Sequence, residues 1–208
     1  MTIRESYLET GPGSRLFSWI FSTDHKRIGL LYLMVIMSLF FAGVALGFLM
    51  RLELISRGPT IMEAQTYNSL FTLHGVIMIF LFIIPVTTSV FGNFMLPIMI
   101  GARDVAFPRL NLLSWWIFVA GAALALATLV LGPADTGWTF YAPYSLRTGQ
   151  YVSLAVFAVF VLGLSSILTG INMITTVHRL RAPGMTWHRL PLFVWAVYAT
   201  AWILVIAT

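Results

Sequence analysis

Cysteine is absent from the 208 residues of this chain, and charged residues make up only 9% of them. The lack of cysteine excludes disulfides, zinc–thiolate sites and iron–sulfur clusters held by this chain. A soluble domain carries about 25% charged residues. The scarcity of charge, together with 59% hydrophobic residues, therefore predicts an integral membrane protein. The net charge of +5 does not indicate a nucleic-acid partner, because the few basic residues lie between apolar runs.

The N-terminal segment lacks the features of a cleaved leader. Residues 1–23 mix polar and aromatic side chains, without the charged region, apolar core and small-residue cleavage site of a signal peptide. We therefore predict a tail over residues 1–27, followed by a membrane domain over residues 28–208.

Five apolar runs follow this tail, each bounded by charges or turn-forming residues. They cover about residues 28–50, 70–100, 112–131, 152–177 and 190–208. A helix needs roughly 20 apolar residues to cross a bilayer. The predicted fold is therefore all-α, a polytopic membrane bundle with five transmembrane helices. The second run is longer than a bilayer requires and contains Pro85 and Pro97, so we expect tilt or a kink there.

The basic residues are distributed unevenly between the two sides of the predicted bundle. Nine of the twelve Lys and Arg residues fall in the tail and in the second and fourth loops, and three fall in the first and third loops. Because basic residues favour the cytoplasmic side, we predict a cytoplasmic N-terminus. The last run stops at Thr208 without a cap, charge or turn, so we expect the first part of a longer chain, truncated in its fifth helix.

His74 is the one ionisable side chain within the second apolar run, which has no Lys, Arg, Asp or Glu between Leu70 and Ile100. A polar ring in hydrocarbon needs a partner, and an ionisable residue inside a span marks a candidate functional site. Neutral imidazole is also a common metal ligand. Position alone leaves two interpretations open: a metal ligand, and a histidine hydrogen-bonded to a neighbouring helix.

Polar side chains gather toward the predicted cytoplasmic ends of the helices. They are Asp104, Asn93, Asn111, Asn172, Ser165, Ser166 and Tyr32. Asn172 and Ser165 are seven residues apart, which places them on one helical face about 10 Å apart along the axis. A carboxylate at an aqueous mouth, with amides and hydroxyls beyond it, could hold the ordered waters that proton transfer needs. Alternatively, the amides only hydrogen-bond the helices to one another.

Several segments resemble subunit I of the haem–copper oxygen reductases, and the A-type cytochrome c oxidases in particular. They are residues 22–29, 71–80, 91–111, 137–141, 164–176 and 181–185. The resemblance extends over nearly the whole chain. It implies the first five helices of a twelve-helix subunit.

The resemblance implies a role for each matching residue. His74 matches an axial ligand of the low-spin haem, and Arg51 matches the arginine that hydrogen-bonds the formyl group of that haem. Asp104 matches the carboxylate at the mouth of the family's D proton channel. Positions along that channel are matched by Asn93, Asn111, Asn172, Ser165, Ser166 and Tyr32. Glu53 and Gly58 match part of an outer-side calcium or sodium site. No residue for the oxygen chemistry itself is implied in this stretch.

The resemblance also implies cofactors and partners. The cofactors are haem A on His74, a second haem and copper B bound by the rest of subunit I, copper A in subunit II, and calcium or sodium at the outer site. The partners are the remainder of subunit I, subunits II and III, cytochrome c as electron donor, oxygen and the lipid bilayer. The implied location is a bacterial cytoplasmic (inner) membrane.

The implied function is the reduction of oxygen to water with electrons from cytochrome c, coupled to proton translocation. The main alternative is a ubiquinol oxidase of the same superfamily. That subgroup places charged or polar residues on the outer half of helix one and before the haem histidine, where this chain has Ala42, Leu46, Thr66 and Ser69. Arg103, by contrast, is commoner among quinol oxidases. Two other classes are disfavoured. A diheme cytochrome b would need a second histidine at membrane depth, and His74 is the only one. A transporter would show inverted repeats, which this sequence lacks.

Overall fold

The computed structural model describes residues 15–148 and 151–208, and no strand occurs among them. The α-helices of this part of the chain are α1 (Arg15–Ile20), α2 (His25–Glu53), α3 (Ala64–Ile100), α4 (Pro108–Leu131), α5 (Tyr144–Arg147), α6 (Val152–Arg179) and α7 (Leu192–Ala207). Four of them, α2, α3, α4 and α6, are long and apolar enough to cross a membrane. The predicted all-α membrane bundle is confirmed. Residues 1–14 of the predicted tail lie outside the described residues.

Helices α2 and α3 begin earlier than the apolar runs that predicted them, as does α4, which begins at Pro108. The Asp24 carboxylate accepts hydrogen bonds from the backbone N–H groups of Lys26 and Arg27, at 2.8 and 3.1 Å. Such a cap satisfies amides that have no partner inside the helix, so α2 begins at His25 and the predicted boundary at residue 27 falls inside it. α3 begins at Ala64, because hydropathy marks the part of a helix suited to lipid and not its polar first turns.

The fifth apolar run forms α7, which has 16 residues. It is preceded by a single 3₁₀ turn over Trp187–Arg189 and by Pro191, which fixes an extended backbone just before the helix. The helix type predicted for this run is confirmed. Its described length is below the roughly 20 residues of a full span.

The irregularity expected in the second run lies around Pro85. Wide π turns occupy Ile77–Ile83 and Val86–Gly92 on its two sides, because proline cannot donate the backbone hydrogen bond that would continue a regular helix. The helix ends at Ile100, and the next residue, Gly101, has a φ of 72° that suits glycine. A side chain there would also lie 2.9 Å from the Cβ of Ala182.

The described residues form two units. The first comprises residues 15–34, 85–117 and 163–208, and the second comprises residues 35–84 and 118–162. The core of the first unit consists of Leu96, Ile100, Val105, Met173, Val177, Leu190, Val194, Val197 and Ala201. In the second unit α4 and α6 approach closely, because Gly121 leaves no room for a Cβ beside Leu162.

Candidate functional site

His74 lies on α3 in the second unit, where its ring is tied to the backbone of α2. Its Nδ1 donates to the carbonyl oxygen of Gly43 over 2.8 Å, since a carbonyl can only accept. This bond places the proton on Nδ1 and leaves Nε2 with a free lone pair. Nε2 has no hydrogen-bond partner among the described residues. A ring fixed through one nitrogen and open at the other is the arrangement of a metal-ligating histidine.

Two glycines on α2 let this helix pack closely against α3, and one of them, Gly47, makes room for the His74 ring. A Cβ at Gly47 would lie 3.0 Å from the Cε1 of His74, and a Cβ at Gly43 would lie 3.0 Å from both Ile77 and Met78. The spacing of the two glycines is Gly-x-x-x-Gly, which lets two membrane helices approach closely. This motif is the signal in the sequence that could have identified α2 as the support for His74.

Arg51 follows Gly47 by four residues, one turn further along the same face of α2. Its side chain is exposed and has no hydrogen-bond or ion-pair partner in the described part of the chain. Unlike a paired surface arginine, it is free to bind an acceptor from outside the chain. An imidazole with an open nitrogen and a nearby unpaired guanidinium fit an iron porphyrin that carries a polar substituent.

Glu53 and Gly58 line one surface cavity of the second unit. The carboxylate of Glu53 is buried and accepts three backbone N–H groups, from Thr60 and Ile61 at 2.8 Å each and from Met62 at 3.1 Å. These bonds fold the loop back onto the end of α2. Gly58 has a φ of 82°, which the turn between them requires. The structure therefore brings the two predicted cation-site residues to one place, with most of the carboxylate's acceptor capacity in use.

The loop between α4 and α5 lies along α3, a feature that the sequence did not predict. The N–H of Gly137 donates to the hydroxyl of Thr72 over 2.8 Å. A Cβ at Gly75 would lie only 2.7 Å from the ring of Trp138, so this glycine permits the close packing. The loop is thereby fastened to the helix segment that carries His74.

Asp135 fastens the same loop at the first turn of α3. Its Oδ2 accepts hydrogen bonds from the Gln65 side-chain amide at 2.8 Å and from the Tyr144 hydroxyl at 2.7 Å. Burial opposes ionisation of this carboxyl, but these hydrogen bonds outweigh burial and lower the pKa of Asp135. The same bond raises the pKa of Tyr144, because the phenol proton is held by a carboxylate.

The polar residues proposed for proton transfer lie in the first unit, beginning with Asp104. Its Oδ1 lies 3.0 Å from the Nδ1 of His25 and accepts the N–H of Val105 at 2.7 Å. The side chain of Asp104 is 37% exposed, whereas that of His25 is 4% exposed. Asp104 thus combines access to water with a buried hydrogen-bonding partner. Asp104 was predicted from the sequence, but its partner His25, which lies in the 22–29 segment, was not.

Asn93 and Asn111 meet in the interior of the first unit. The side-chain amide of Asn111 donates to the Oδ1 of Asn93 at 2.8 Å, and the amide of Asn93 donates to the carbonyl oxygen of Ser89 at 2.6 Å. Both asparagine side chains are fully buried. The Oδ1 of Asn111 is buried without a hydrogen-bond partner among the described residues, so it can accept a hydrogen bond from a water molecule.

Tyr32 and Ser165 meet at Ser114, which the sequence analysis did not identify. The hydroxyl of Tyr32 donates to the Oγ of Ser114 at 3.1 Å and lies 3.4 Å from the Oγ of Ser165. Ser114 follows Asn111 by three residues on the same face of α4, and that spacing could have revealed it. Ser166 is half-buried and follows Ser165 on α6.

Asn172 holds a loop in place. Its Oδ1 accepts the N–H of Phe107 at 2.8 Å, and its amide donates to the carbonyl of the same residue at 3.4 Å. One turn away on α6, the Thr176 hydroxyl accepts the N–H of Ala106 at 2.9 Å. These bonds fix the segment that follows Asp104 against α6. Asn172 is therefore connected to Asp104, the mouth of the predicted proton path, through the backbone of residues 105–107.

Comparison with known proteins adds evidence independent of this geometry. Residues 27–208 match the protein family described as Cytochrome C and Quinol oxidase polypeptide I. Over 189 residues the chain is 41% identical to the cytochrome c oxidase subunit 1 of Thermostichus vulcanus. That match covers 90% of this chain and 34% of the relative, so the chain spans about a third of the relative's length.

Proposed function

Because this chain belongs to the family of cytochrome c and quinol oxidase polypeptide I, we propose that it supplies a haem ligand and a proton-uptake path to a membrane oxidase. The whole complex would reduce oxygen to water with electrons from cytochrome c and translocate protons. The observation that carries the proposal is the His74 ring, fixed through Nδ1 and open at Nε2. The second axial ligand, the ligands of copper B and subunits II and III would come from outside this sequence.

The residues around His74 would hold a low-spin haem, which accepts and passes on one electron at a time when it is bound. The bond from Nδ1 to Gly43 orients the imidazole and increases its basicity toward iron. Because Gly47 has no side chain, the His74 ring can pack directly against α2. The Arg51 guanidinium would hydrogen-bond a haem substituent and disfavour the more positive oxidised state, which raises the reduction potential.

The first unit would conduct protons from water toward the membrane interior. Asp104 would take up the proton, because its carboxylate is partly exposed and lies beside His25. The buried pair of Asn93 and Asn111, and then the hydroxyls of Tyr32, Ser114 and Ser165, would hold the waters that pass it on. Ser166 would line the same route, and Asn172 would keep its mouth open by fixing the Phe107 backbone.

Cytochrome c is the proposed electron donor in preference to a quinol. Four positions are expected to hold the quinol-binding residues. There Ala42 and Thr66 are exposed and uncharged, Leu46 is apolar, and the buried Ser69 donates to the backbone carbonyl of Gln65 on its own helix. None of them provides a charged partner for a quinol headgroup. The matched relative is also described as a cytochrome c oxidase subunit.

A reduced-minus-oxidised optical spectrum of the purified complex tests the proposal. The wild type should show a low-spin haem A band, and His74→Ala should lose it because one of two strong-field ligands is removed. His188→Ala, a substitution of an exposed loop histidine, is the matched control and should leave the band unchanged. A normal low-spin band in His74→Ala would refute the assigned ligand, and a wild type without haem would refute the oxidase.

A further inference from the structure

Aromatic and basic side chains gather where α6 ends and α7 begins, within the first unit. The guanidinium carbon of Arg181 lies 4.0 Å from the centre of the Trp187 ring. Trp187 also contacts His178, Trp195 and Tyr198, with ring centres 5.1, 5.5 and 5.4 Å away. The Nε2 of His178 lies 2.8 Å from the hydroxyl of Tyr198. We refer to these five residues as the aromatic–arginine cluster.

Arg181 has a hydrogen-bond donor that the described chain does not use. Its guanidinium has no hydrogen-bond partner there: Nη1 is buried among protein atoms, and the half-buried side chain leaves the other nitrogens unpaired as well. The face of Trp187 attracts the cation and holds the guanidinium flat, but it does not satisfy the in-plane N–H groups. A planar fork of donors held in one orientation matches the oxygens of a phosphate. The cluster is therefore prepared to bind an anion.

The surrounding charge favours the same kind of ligand. The segment 178–191 contains Arg179, Arg181 and Arg189 and no Asp or Glu. The neighbouring loop 101–107 contains Asp104, but this carboxylate is bonded to His25. Among the described residues Arg181 has no ion-pair partner. The local field is positive, and no carboxylate of the described chain competes for Arg181.

We propose that the aromatic–arginine cluster binds the phosphate of an anionic phospholipid. The cluster lies at the end of α6, a candidate membrane span, where tryptophan and tyrosine side chains favour the headgroup region. Basic residues next to a span attract anionic lipid. Arg181 hydrogen-bonds the phosphate, and the exposed sides of His178 and Trp195 contact the glycerol region. A zwitterionic lipid binds less well, because its ammonium group is repelled by Arg179 and Arg189.

Photo-crosslinking tests this site in the intact complex, purified and placed in lipid nanodiscs. The probes are a photoreactive phosphatidylglycerol and a photoreactive phosphatidylcholine of the same chain length, and labelled peptides are identified by mass spectrometry. The anionic probe should label residues 178–202 more strongly than the zwitterionic probe. Arg181→Gln should reduce this labelling by more than about fivefold, because it loses the hydrogen bonds of the fork in addition to one charge near an anionic surface. Arg181→Lys should restore part of it, because it keeps the charge but loses the fork.

Arg189→Gln is the matched control, because it removes one charge from the same segment without touching Trp187. It loses only the general attraction of one charge, so its labelling should fall by at most about fivefold and by less than that of Arg181→Gln. Equal losses in the two Gln variants would show general attraction and overturn the proposal. Equal labelling by the two lipids, or no labelling of this segment, would do the same.

Millimolar inorganic phosphate should not compete with the lipid probe; competition would assign the site to free phosphate instead. The wild-type haem spectrum should persist in every variant. Failure of the lipid-site proposal can therefore be distinguished from failure of the oxidase assignment.

Discussion

The side-chain amide of Asn111 donates to the Oδ1 of Asn93 over 2.8 Å, and neither side chain is exposed to solvent. This bond joins α4 to α3 in the first unit. The other amide atom of Asn111, its Oδ1, has no partner among the described residues and can accept a hydrogen bond from a buried water. One contact thus contributes to helix packing and leaves an acceptor for the proposed proton path. From the sequence alone, helix packing and water binding were alternative roles for these asparagines.

The buried amide pair should be energetically coupled. Asn111→Ala leaves the Oδ1 of Asn93 buried without a donor, which costs about 1–3 kcal/mol of unfolding free energy. The double variant Asn93→Ala/Asn111→Ala should cost less than the sum of the single variants, since neither partner is then left unpaired. Chemical unfolding of the complex in detergent measures all three. Strict additivity would show that the two side chains do not depend on each other.

Removal of the Asp104 carboxylate should slow proton uptake. Asp104→Asn keeps the side-chain shape but cannot take up a proton from water, so turnover should fall by at least about tenfold. Oxygen consumption and vesicle acidification in proteoliposomes measure turnover and pumping.

Asp24→Asn serves as the control for Asp104→Asn. It removes a negative charge from the residue next to His25 but keeps a side-chain oxygen that can cap α2, so stability should change little. Proton uptake should remain normal in this control. If the two variants slow turnover equally, the effect is one of surface charge and Asp104 has no special role.

Gly47 should be essential for the position of the His74 ring. A Cβ there lies 3.0 Å from the Cε1, and the further methyl groups of Gly47→Val have no room beside the ring. The low-spin haem band should be lost or shifted in this variant. Ala45→Val adds bulk to the same helix at an exposed position and should leave the spectrum unchanged. An unaltered spectrum in Gly47→Val would mean that the ring is not held against α2.

The Asp135 cluster should contribute stability that depends on pH. Hydrogen bonds from Tyr144 and Gln65 lower the pKa of Asp135 below its ordinary value of 3.8. A depressed carboxyl pKa stabilises the folded state above the pKa of the unfolded chain, and this contribution is lost as the pH falls through the folded value. Asp135→Asn should therefore be less stable than wild type by about 1.5–3 kcal/mol at pH 7.

The difference between Asp135→Asn and wild type should shrink on acidification below about pH 4. Unfolding curves at pH 7 and at pH 3.5 measure it. Tyr144→Phe tests the donor: the stabilisation from the Tyr144 hydroxyl is present at neutral pH and weakens in wild type as Asp135 is protonated on acidification. It is also lost as the pH rises through the raised pKa of Tyr144. A difference between Asp135→Asn and wild type that does not change with pH would exclude an ionised, hydrogen-bonded carboxylate.

The sequence predicted what depends on periodicity and hydropathy. The apolar runs became the long helices, and Pro85 marked the irregular part of α3. His74 and Asp104 were identifiable because an ionisable side chain is rare among apolar residues. Such features depend on the local sequence, so they can be predicted without knowledge of tertiary contacts.

The partners of these residues were less predictable, because they depend on how distant segments meet. The bond of His74 goes to a backbone carbonyl of Gly43, and every residue has such a carbonyl. Asn172 was expected to hold water, yet it binds the Phe107 backbone, which requires the geometry of a loop 65 residues away. Asp135 joins a helix start to a loop 70 residues further along the chain.

A cryo-EM map of the intact complex tests the central claim most directly. We predict a haem iron within coordination distance of the His74 Nε2, with the Nδ1 still bonded to the Gly43 carbonyl. A map in which Nε2 contacts only protein or lipid, with no porphyrin beside α2 and α3, would contradict the account.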